Sequence, residues 1–530
     1  MPVIADPDQS DPDRSDPDGS ASAGRAPGAA VLTGSRGRTG ISTRVLLLAA
    51  LPAVIVGLLI RAWVMRSSLL ALNSDEAITG LQGLEVLGGH LRTVVAGNEY
   101  GSTTESYLVA PLLTFWTGAA PLRLMALVLS VVAAYAVFRL ARPLYGPVVA
   151  VVLALIGWTT SGAMVLLWLH AYMGYPTGFI AQVAAVALAC HAMRGTQRLA
   201  RTALFAGLAT GFAIWSHPMF GVVALLALIT PSVYRVRELR RWWLPLAAGG
   251  LVGISPWLLF MADHGWPKPA LATVRTTYSE RLENFVTELL PRAFGLRAPD
   301  GSWLSPTGLA VVVAAILVIA SLVGLVVSVF RKGLPALPVA LAGLLAFPVL
   351  AMFSQLGFVA DARYALPFIP QLLIGLGAWS LLLPDRIRHS PWLVVTVPTI
   401  WAIALCVPVL HQQVGWQWQD PDRDAWSVVN ELESRHIEYL AGDYWGTYLA
   451  GYFADGALAV RPDVSIRFGD QAAQVAAADP ATVAYIYAKG IDIYSSGVNP
   501  SLPLSRDRYE LLTNQTFDLY LPVVSKPDGL

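Results

Sequence analysis

The chain has 530 residues and a mean hydropathy of +0.56, with 55% hydrophobic but only 13% charged residues. A soluble chain carries roughly 25% charged residues, so a polytopic membrane protein with a smaller soluble part is expected. The net charge of +1 argues against a nucleic-acid partner, and the two cysteines, Cys190 and Cys406, lie inside apolar runs and read as packing residues, not a disulfide framework.

Residues 1–43 are rich in Pro, Asp, Ser, Gly and Arg and carry DPDxS three times, at Asp6–Ser10, Asp11–Ser15 and Asp16–Ser20. Such a segment buries too little apolar surface to offset its ordering entropy and reads as a disordered cytoplasmic tail. The first apolar run starts near residue 44 and reads as a retained signal anchor.

From 44 to 412, apolar runs alternate with short polar breaks. Long runs predict about eleven spans: 45–64, 122–141, 147–167, 174–193, 202–217, 219–233, 243–262, 307–330, 334–353, 363–383 and 391–411. Basic breaks predict their direction. Arg36, Arg38 and Arg44 precede the first span; Arg139/Arg142, Arg194/Arg198/Arg201, Arg235/Arg237/Arg240/Arg241, Arg331/Lys332 and Arg386/Arg388 recur after later ones. If these face the cytoplasm, the N-terminus is inside, the C-terminal segment is outside, and the protein is a multi-pass plasma (inner) membrane protein. The run Glu105–Trp116 is short for a span and is expected as a juxtamembrane or re-entrant helix.

The expected outer pieces are loop 65–121, His170–Tyr175, the His217-Pro218 junction, loop 263–305, Ser354–Arg363 and residues 413–530. The last of these turns rich in Asp, Tyr, Trp and Gly. A helix at 425–436 and strands at 437–440, 483–487 and 517–523 make it a small α/β domain.

Chemistry is expected in the outer loops. Asn73-Ser74-Asp75-Glu76 stands just beyond the first span, where two carboxylates are costly unless used. Asn73 or Ser74 can cap a helix whose first turn both acids would complement. Neighbours on a helix point about 100° apart, so one acid alone can serve a given atom. Asp75 is assigned as a general base and Glu76 as its support. Tyr100 lies in a glycine-punctuated stretch leading to Glu105, which reads as a helix-start acid or a hydrogen-bond acceptor of the pocket. His170, Tyr172 and Tyr175 share one short loop, and His217 ends a span. Glu105 with His217 is the one pairing that could hold a divalent metal, and no cofactor is assigned beyond that. Arg363 and Tyr364 lie where a loop enters a span; the guanidinium is either interfacial or a phosphate ligand. Lys268, Arg275, Arg281, Arg292 and Arg297 crowd the loop 263–305, against the usual charge rule, which favours an anion there. Walker A, GxSxG, HExxH and CxxC patterns are absent.

An acidic pair, then Gly-x-x-x-Glu-x-Tyr-Leu-x-x-Pro-Leu at 101–112, then Arg-Tyr-x-x-Pro at 363–367 follow in order. In this the chain resembles the GT-C superfamily of polyprenyl-phosphate-sugar-dependent glycosyltransferases, near the protein O-mannosyltransferase and aminoarabinose transferase branch (family 39-like), over residues 45–412. The stretch Gly442-Asp443-Tyr444-Trp445 is the most family-like part of the tail. The resemblance implies an α-helical polytopic fold with outer-face juxtamembrane helices and an outer C-terminal α/β domain. It further implies Asp75 as the catalytic aspartate, Arg363 near the lipid-linked phosphate, and Glu105 as an acid of variable role. No residue matches a second catalytic carboxylate in the second outer loop, where His170 and Tyr172 stand instead. The expected partners are a polyprenyl-phosphate sugar donor, a glycan, lipid or protein acceptor, and membrane lipids. The expected reaction is inverting transfer to an acceptor hydroxyl, with mannose the first candidate and arabinose or glucose the others. A phosphate leaves as a stabilised anion, so one base and cations on the phosphate suffice, whereas a glycosidase needs two facing carboxylates. The alternatives are a transporter or flippase of lipid-linked saccharide, or an outer-face glycan ligase or polymerase. A transporter would show mid-span charges and internal repeats, whereas the mid-span regions are nearly free of charge and no internal repeat is seen.

Overall fold

Each of the eleven apolar runs forms helix in the computed structural model, which describes residues 42–159, 161–195, 197–266, 277–298, 300–353, 361–416, 418–489 and 507–523. The DPDxS repeats, Lys268, Arg275 and most of loop 354–363 lie outside the described residues. The chain begins with α1 (Thr43–Val64), α2 (Ser74–Leu87), α3 (Thr104–Leu113), α4 (Ala119–Tyr145), α5 (Pro147–Thr159), α6 (Gly162–Leu167), α7 (Tyr175–Ala192), α8 (Leu199–Ser216), α9 (Pro218–Tyr234) and α10 (Leu244–His264). It continues through α11 (Tyr278–Asn284), α12 (Leu290–Ala293), α13 (Thr307–Lys332), α14 (Leu337–Phe353), α15 (Ile369–Ala378), α16 (Asp385–Arg388), α17 (Trp392–Trp401) and α18 (Val407–Val414). Among the described residues, nine helical segments are long and apolar enough to cross a membrane, and α5 and α9 are shorter apolar helices. This is a multi-pass membrane protein.

Several spans are less regular than their hydropathy implies. The run 147–167 is not one helix: α5 stops at Thr159, and Ser161 caps α6 by accepting from the Met164 N–H at 3.1 Å. The run 363–383 starts as a 3₁₀ segment, Ala362–Phe368, with Pro367 inside it. Proline removes a helix donor, and the tighter turn accommodates that loss. The last run carries one π turn, Ala402–Cys406, between α17 and α18. The expected loop 263–305 holds α11, α12 and a bridge between Arg297 and Trp303.

Beyond the spans, the chain forms α19 (Arg423–Ser434), β1 (Tyr439–Gly442), α20 (Tyr444–Phe453), β2 (Ala459–Pro462), α21 (Gly469–Ala477), β3 (Val483–Ala488), β4 (Tyr509–Thr513) and β5 (Phe517–Pro522). The sheet order is β2-β1-β3-β5-β4, with β1 parallel to β2 and β3, and β5 antiparallel to β3 and β4. The sequence reading anticipated α19, β1, β3 and β5 but not β2 or β4. Both are short, and β4 lies at an edge with little burial, so neither shows a clear two-residue period.

The sheet does not have a core to itself. One cluster of buried residues joins Ile78 and Leu81 of α2 and Val109 of α3 to Leu440, Tyr448, Tyr452 and Ile486. At Gly80 a Cβ would stand 2.1 Å from the Tyr452 ring, so only glycine allows α2 and α20 to approach this closely. The first loop after α1 and the C-terminal segment are one packed body, and α2 is its shared element. Cys190 and Cys406 are buried and unpaired, as packing residues should be.

Candidate active site

Asn73 is the N-cap of α2. It accepts from the Glu76 N–H at 3.1 Å while Glu76 Oε2 accepts from the Asn73 N–H at 3.4 Å, a reciprocal box that fixes the first turn. The two acids then diverge. Asp75 opens onto a cavity of about 910 Å³, whereas Glu76 points into the protein and is fully buried.

Both Asp75 oxygens have partners. Oδ1 accepts from the Tyr444 hydroxyl at 2.8 Å, and Oδ2 lies 3.4 Å from Arg363 Nη1. Arg363 Nε stands 2.9 Å from Asp361 Oδ2, and its guanidinium carbon sits 5.3, 5.8 and 5.5 Å from the rings of Tyr172, Tyr175 and Tyr364. Three aromatic faces and two carboxylates therefore hold this cation at the cavity wall. Burial and the adjacent Asp75 push the Tyr444 pKa up, which keeps its hydroxyl a donor. Tyr444 is delivered by the N-terminus of α20, whose cap Asp443 accepts from the N–H groups of Trp445 and Gly446, each at 2.7 Å, and from that of Ala488 in β3.

Glu76 is the hub of a buried network. It pairs with Arg123 of α4, accepts from the Ala171 N–H at 2.7 Å, and lies 2.7 Å from His170 Nδ1. Arg123 also donates to the carbonyls of Leu70 at 2.9 Å and Leu169 at 3.0 Å. Burial alone would raise the Glu76 pKa; Arg123 and His170 outweigh it and hold the carboxyl at about 2. Its support of Asp75 is structural, through the turn it anchors.

Of the two readings of Glu105, its position is that of the helix-start acid, and it is not among the residues that line the cavity. It is fully buried, with Oε2 accepting from the Gly174 N–H at 2.9 Å and Oε1 from the Thr177 N–H at 3.2 Å and hydroxyl at 2.7 Å. It lies in the first turn of α3 but closes the N-terminus of α7. Burial pushes its pKa up against these bonds. The suggested pairing of Glu105 with His217 as metal ligands is not formed: the glutamate oxygens serve α7, and His217 Nδ1 accepts from the Met219 N–H at 3.4 Å. Among the described residues, no group of three or more His, Cys, Asp or Glu gathers to hold a metal ion.

Tyr100, His170, Tyr172, His217 and Tyr364 all line the same cavity as Asp75 and Arg363. His217 meets the Tyr100 ring edge-on, with centroids 5.4 Å apart, and the tilted Tyr175 ring at 5.1 Å. Burial, with the charge of Arg363, lowers its pKa to about 4, so the ring is neutral. Tyr172 receives a hydrogen bond from the Asn73 amide at 3.1 Å. Of the basic residues in loop 263–305, Arg292 reaches the cavity, Arg297 pairs with Glu288 at 2.6 Å, and Arg281 donates to the Ala351 carbonyl at 2.5 Å. Arg292 also stands 3.3 Å from Glu288, so part of the apparent excess of cations is matched locally.

Sequence reasoning missed Arg123, Arg467 and the role of Tyr444. Arg123 was hidden inside an apolar run; its signal was a charge in a span, which needs a partner. Arg467 lines the cavity, bonds the Asn98 side chain and lies 5.8 Å from the Tyr444 ring.

No protein-family model and no curated protein matches the chain. Among solved structures, the chain is similar to ArnT from Cupriavidus metallidurans bound to undecaprenyl phosphate, at 15% identity and a TM-score of 0.57, covering 92% of this chain and 99% of that one. It is similar also to ArnT from the same organism in the apo state, at 14% identity and a TM-score of 0.54, covering 90% of this chain and 98% of that one. The likeness is one of fold: the chain has an ArnT-like polytopic fold with a small C-terminal sheet. This is the fold that the GT-C resemblance implied.

Proposed function

We propose that the protein transfers a sugar from a polyprenyl-phosphate donor to an acceptor hydroxyl on the extracytoplasmic face, with inversion, and that Asp75 is the general base. The observation that carries this reading is the juxtaposition of the Asp75 carboxylate and the Arg363 guanidinium, 3.4 Å apart on one cavity wall. A base and an anion-binding cation side by side match a displacement in which a proton leaves the nucleophile as a phosphate departs. The fold supports a lipid-borne donor, since it is shared with a protein solved bound to undecaprenyl phosphate.

In this mechanism the phosphate draws Arg363 away from Asp75 and is held by the planar fork of the guanidinium. Asp75, released from its ion pair, accepts the proton of the acceptor hydroxyl. The oxygen attacks the anomeric carbon, the carbon–phosphate oxygen bond breaks, and its electrons leave on the phosphate. Tyr444 holds the carboxylate in line through Oδ1. The same reading places residues 413–530 outside the membrane and the N-terminus inside. Mannose is the first sugar to test.

The test is transfer from synthetic polyprenyl-phosphate sugars by the purified protein. Asp75→Asn is expected to lower turnover by about 10² to 10⁴, the usual weight of a positioned base. Full activity in that variant overturns the base assignment, and absence of transfer by the wild type from every such donor overturns the reaction.

A further inference from the structure

The Glu76–His170 pair has a second side. Glu76 Oε2 lies 2.7 Å from His170 Nδ1, and an ionised carboxylate only accepts, so Nδ1 must carry the hydrogen. The ring also packs at a tilt against Tyr172, with centroids 5.1 Å apart. His170 lines the cavity, and among the described residues its Nε2 has no hydrogen-bond partner. In the neutral ring the buried carboxylate thus fixes the hydrogen on Nδ1 and leaves the lone pair on Nε2, in a side chain that lines the cavity.

We propose that His170 is a specificity-determining residue that binds the acceptor: its Nε2 receives a hydrogen bond from a hydroxyl of the acceptor next to the one being glycosylated, and Glu76 is its positioning residue. A bare lone pair takes an O–H or N–H donor and turns away phosphate and carbonyl oxygens. It therefore reads the acceptor, while the guanidinium of Arg363 reads the lipid phosphate. Asp75 takes the reacting proton and His170 holds a neighbouring hydroxyl, so the acceptor class is a polyol such as a saccharide. This inference rests on the proposed transfer reaction.

Two measurements test it. In the full-length protein labelled with ¹⁵N-histidine, the His170 signals, identified by their loss in His170→Asn, are expected to show the Nδ1–H tautomer. The less common arrangement in free histidine thus becomes the diagnostic one. The Nε2–H tautomer, or an imidazolium at neutral pH, would overturn the proposal whether or not transfer is observed. In label transfer from synthetic polyprenyl-phosphate sugars to washed membranes, His170→Asn keeps a donor for Glu76 but removes the lone pair. It should raise the acceptor concentration needed for half-maximal rate by about tenfold, with donor KM unchanged. His170→Gln, whose longer amide can present an oxygen to the cavity, should recover part of that loss. Unchanged acceptor dependence in His170→Asn would overturn the proposal, as would a loss confined to donor KM. Failure of the transfer reading looks different: no donor is consumed by the wild type, while the tautomer measurement still stands.

Discussion

Tyr444 donates its hydroxyl hydrogen to Asp75 Oδ1 at 2.8 Å, across 369 positions of sequence. The C-terminal segment therefore reaches into the cavity through the first residue of α20 and holds the residue proposed as the base. Tyr444→Phe removes the hydrogen bond without removing the ring, which packs edge-on against Tyr448 at 5.4 Å. We expect a folded protein with kcat lowered about tenfold and donor KM unchanged, a smaller loss than that of Asp75→Asn. Steady-state kinetics on both variants checks the order.

Arg363→Lys keeps the charge but loses the fork that a phosphate can engage through two bonds. It also leaves the three tyrosine rings without a flat cation between them. Donor KM is expected to rise by at least tenfold in Arg363→Lys and further in Arg363→Ala. Donor titrations with synthetic lipid phosphates measure this, and an unchanged donor KM removes Arg363 from the donor site.

Breaking the Glu76–Arg123 pair leaves a buried charge without its partner, which costs about 3–5 kcal/mol. Arg123→Met is therefore expected to lower the unfolding midpoint in detergent strongly. The pH dependence has a definite sign. Glu76 is held at about 2 in the folded protein against an ordinary value of 4.5. A depressed carboxyl contributes stability that is complete above about pH 4.5 and is lost as the pH falls towards 2. Unfolding curves of the wild type and of Glu76→Gln should converge across that interval; parallel curves would show that Glu76 is not the group responsible.

Glu105→Gln replaces one acceptor oxygen with an amide donor that must face either the Gly174 or the Thr177 N–H. The expected cost is about 1–3 kcal/mol, read as a lower unfolding midpoint. Gly174 itself has φ +75°, and a Cβ there would meet the Ser216 carbonyl oxygen at 2.2 Å. Gly174→Ala should destabilise the same corner and reduce turnover by shifting Tyr175 and His217.

Much of the site was legible early because its signals are local. Asn73 as the cap of a helix carrying Asp75 and Glu76 follows from side-chain chemistry within four residues. The placement of Arg363 at a span entrance follows from hydropathy. Glu105 was half legible: it lies in the first turn of α3, as its position signals, but its oxygens bond the N-terminus of α7, which spacing along the chain does not show. Tyr444 and Arg123 carried no local sign of their partners.

What the sequence determined by itself is the membrane architecture and the identity of the chemically available groups. Apolar runs about twenty residues long and helix caps act over short range, and each needs no knowledge of the rest of the chain. What only the tertiary structure decided is which group serves which partner. Asp75 faces the cavity, Glu76 turns to Arg123 and His170, Glu105 closes α7, and Tyr444 comes from the start of α20 to meet Asp75. These choices depend on packing between elements far apart in sequence. A buried charge takes whichever partner the fold brings within hydrogen-bond distance, and spacing along the chain does not encode that.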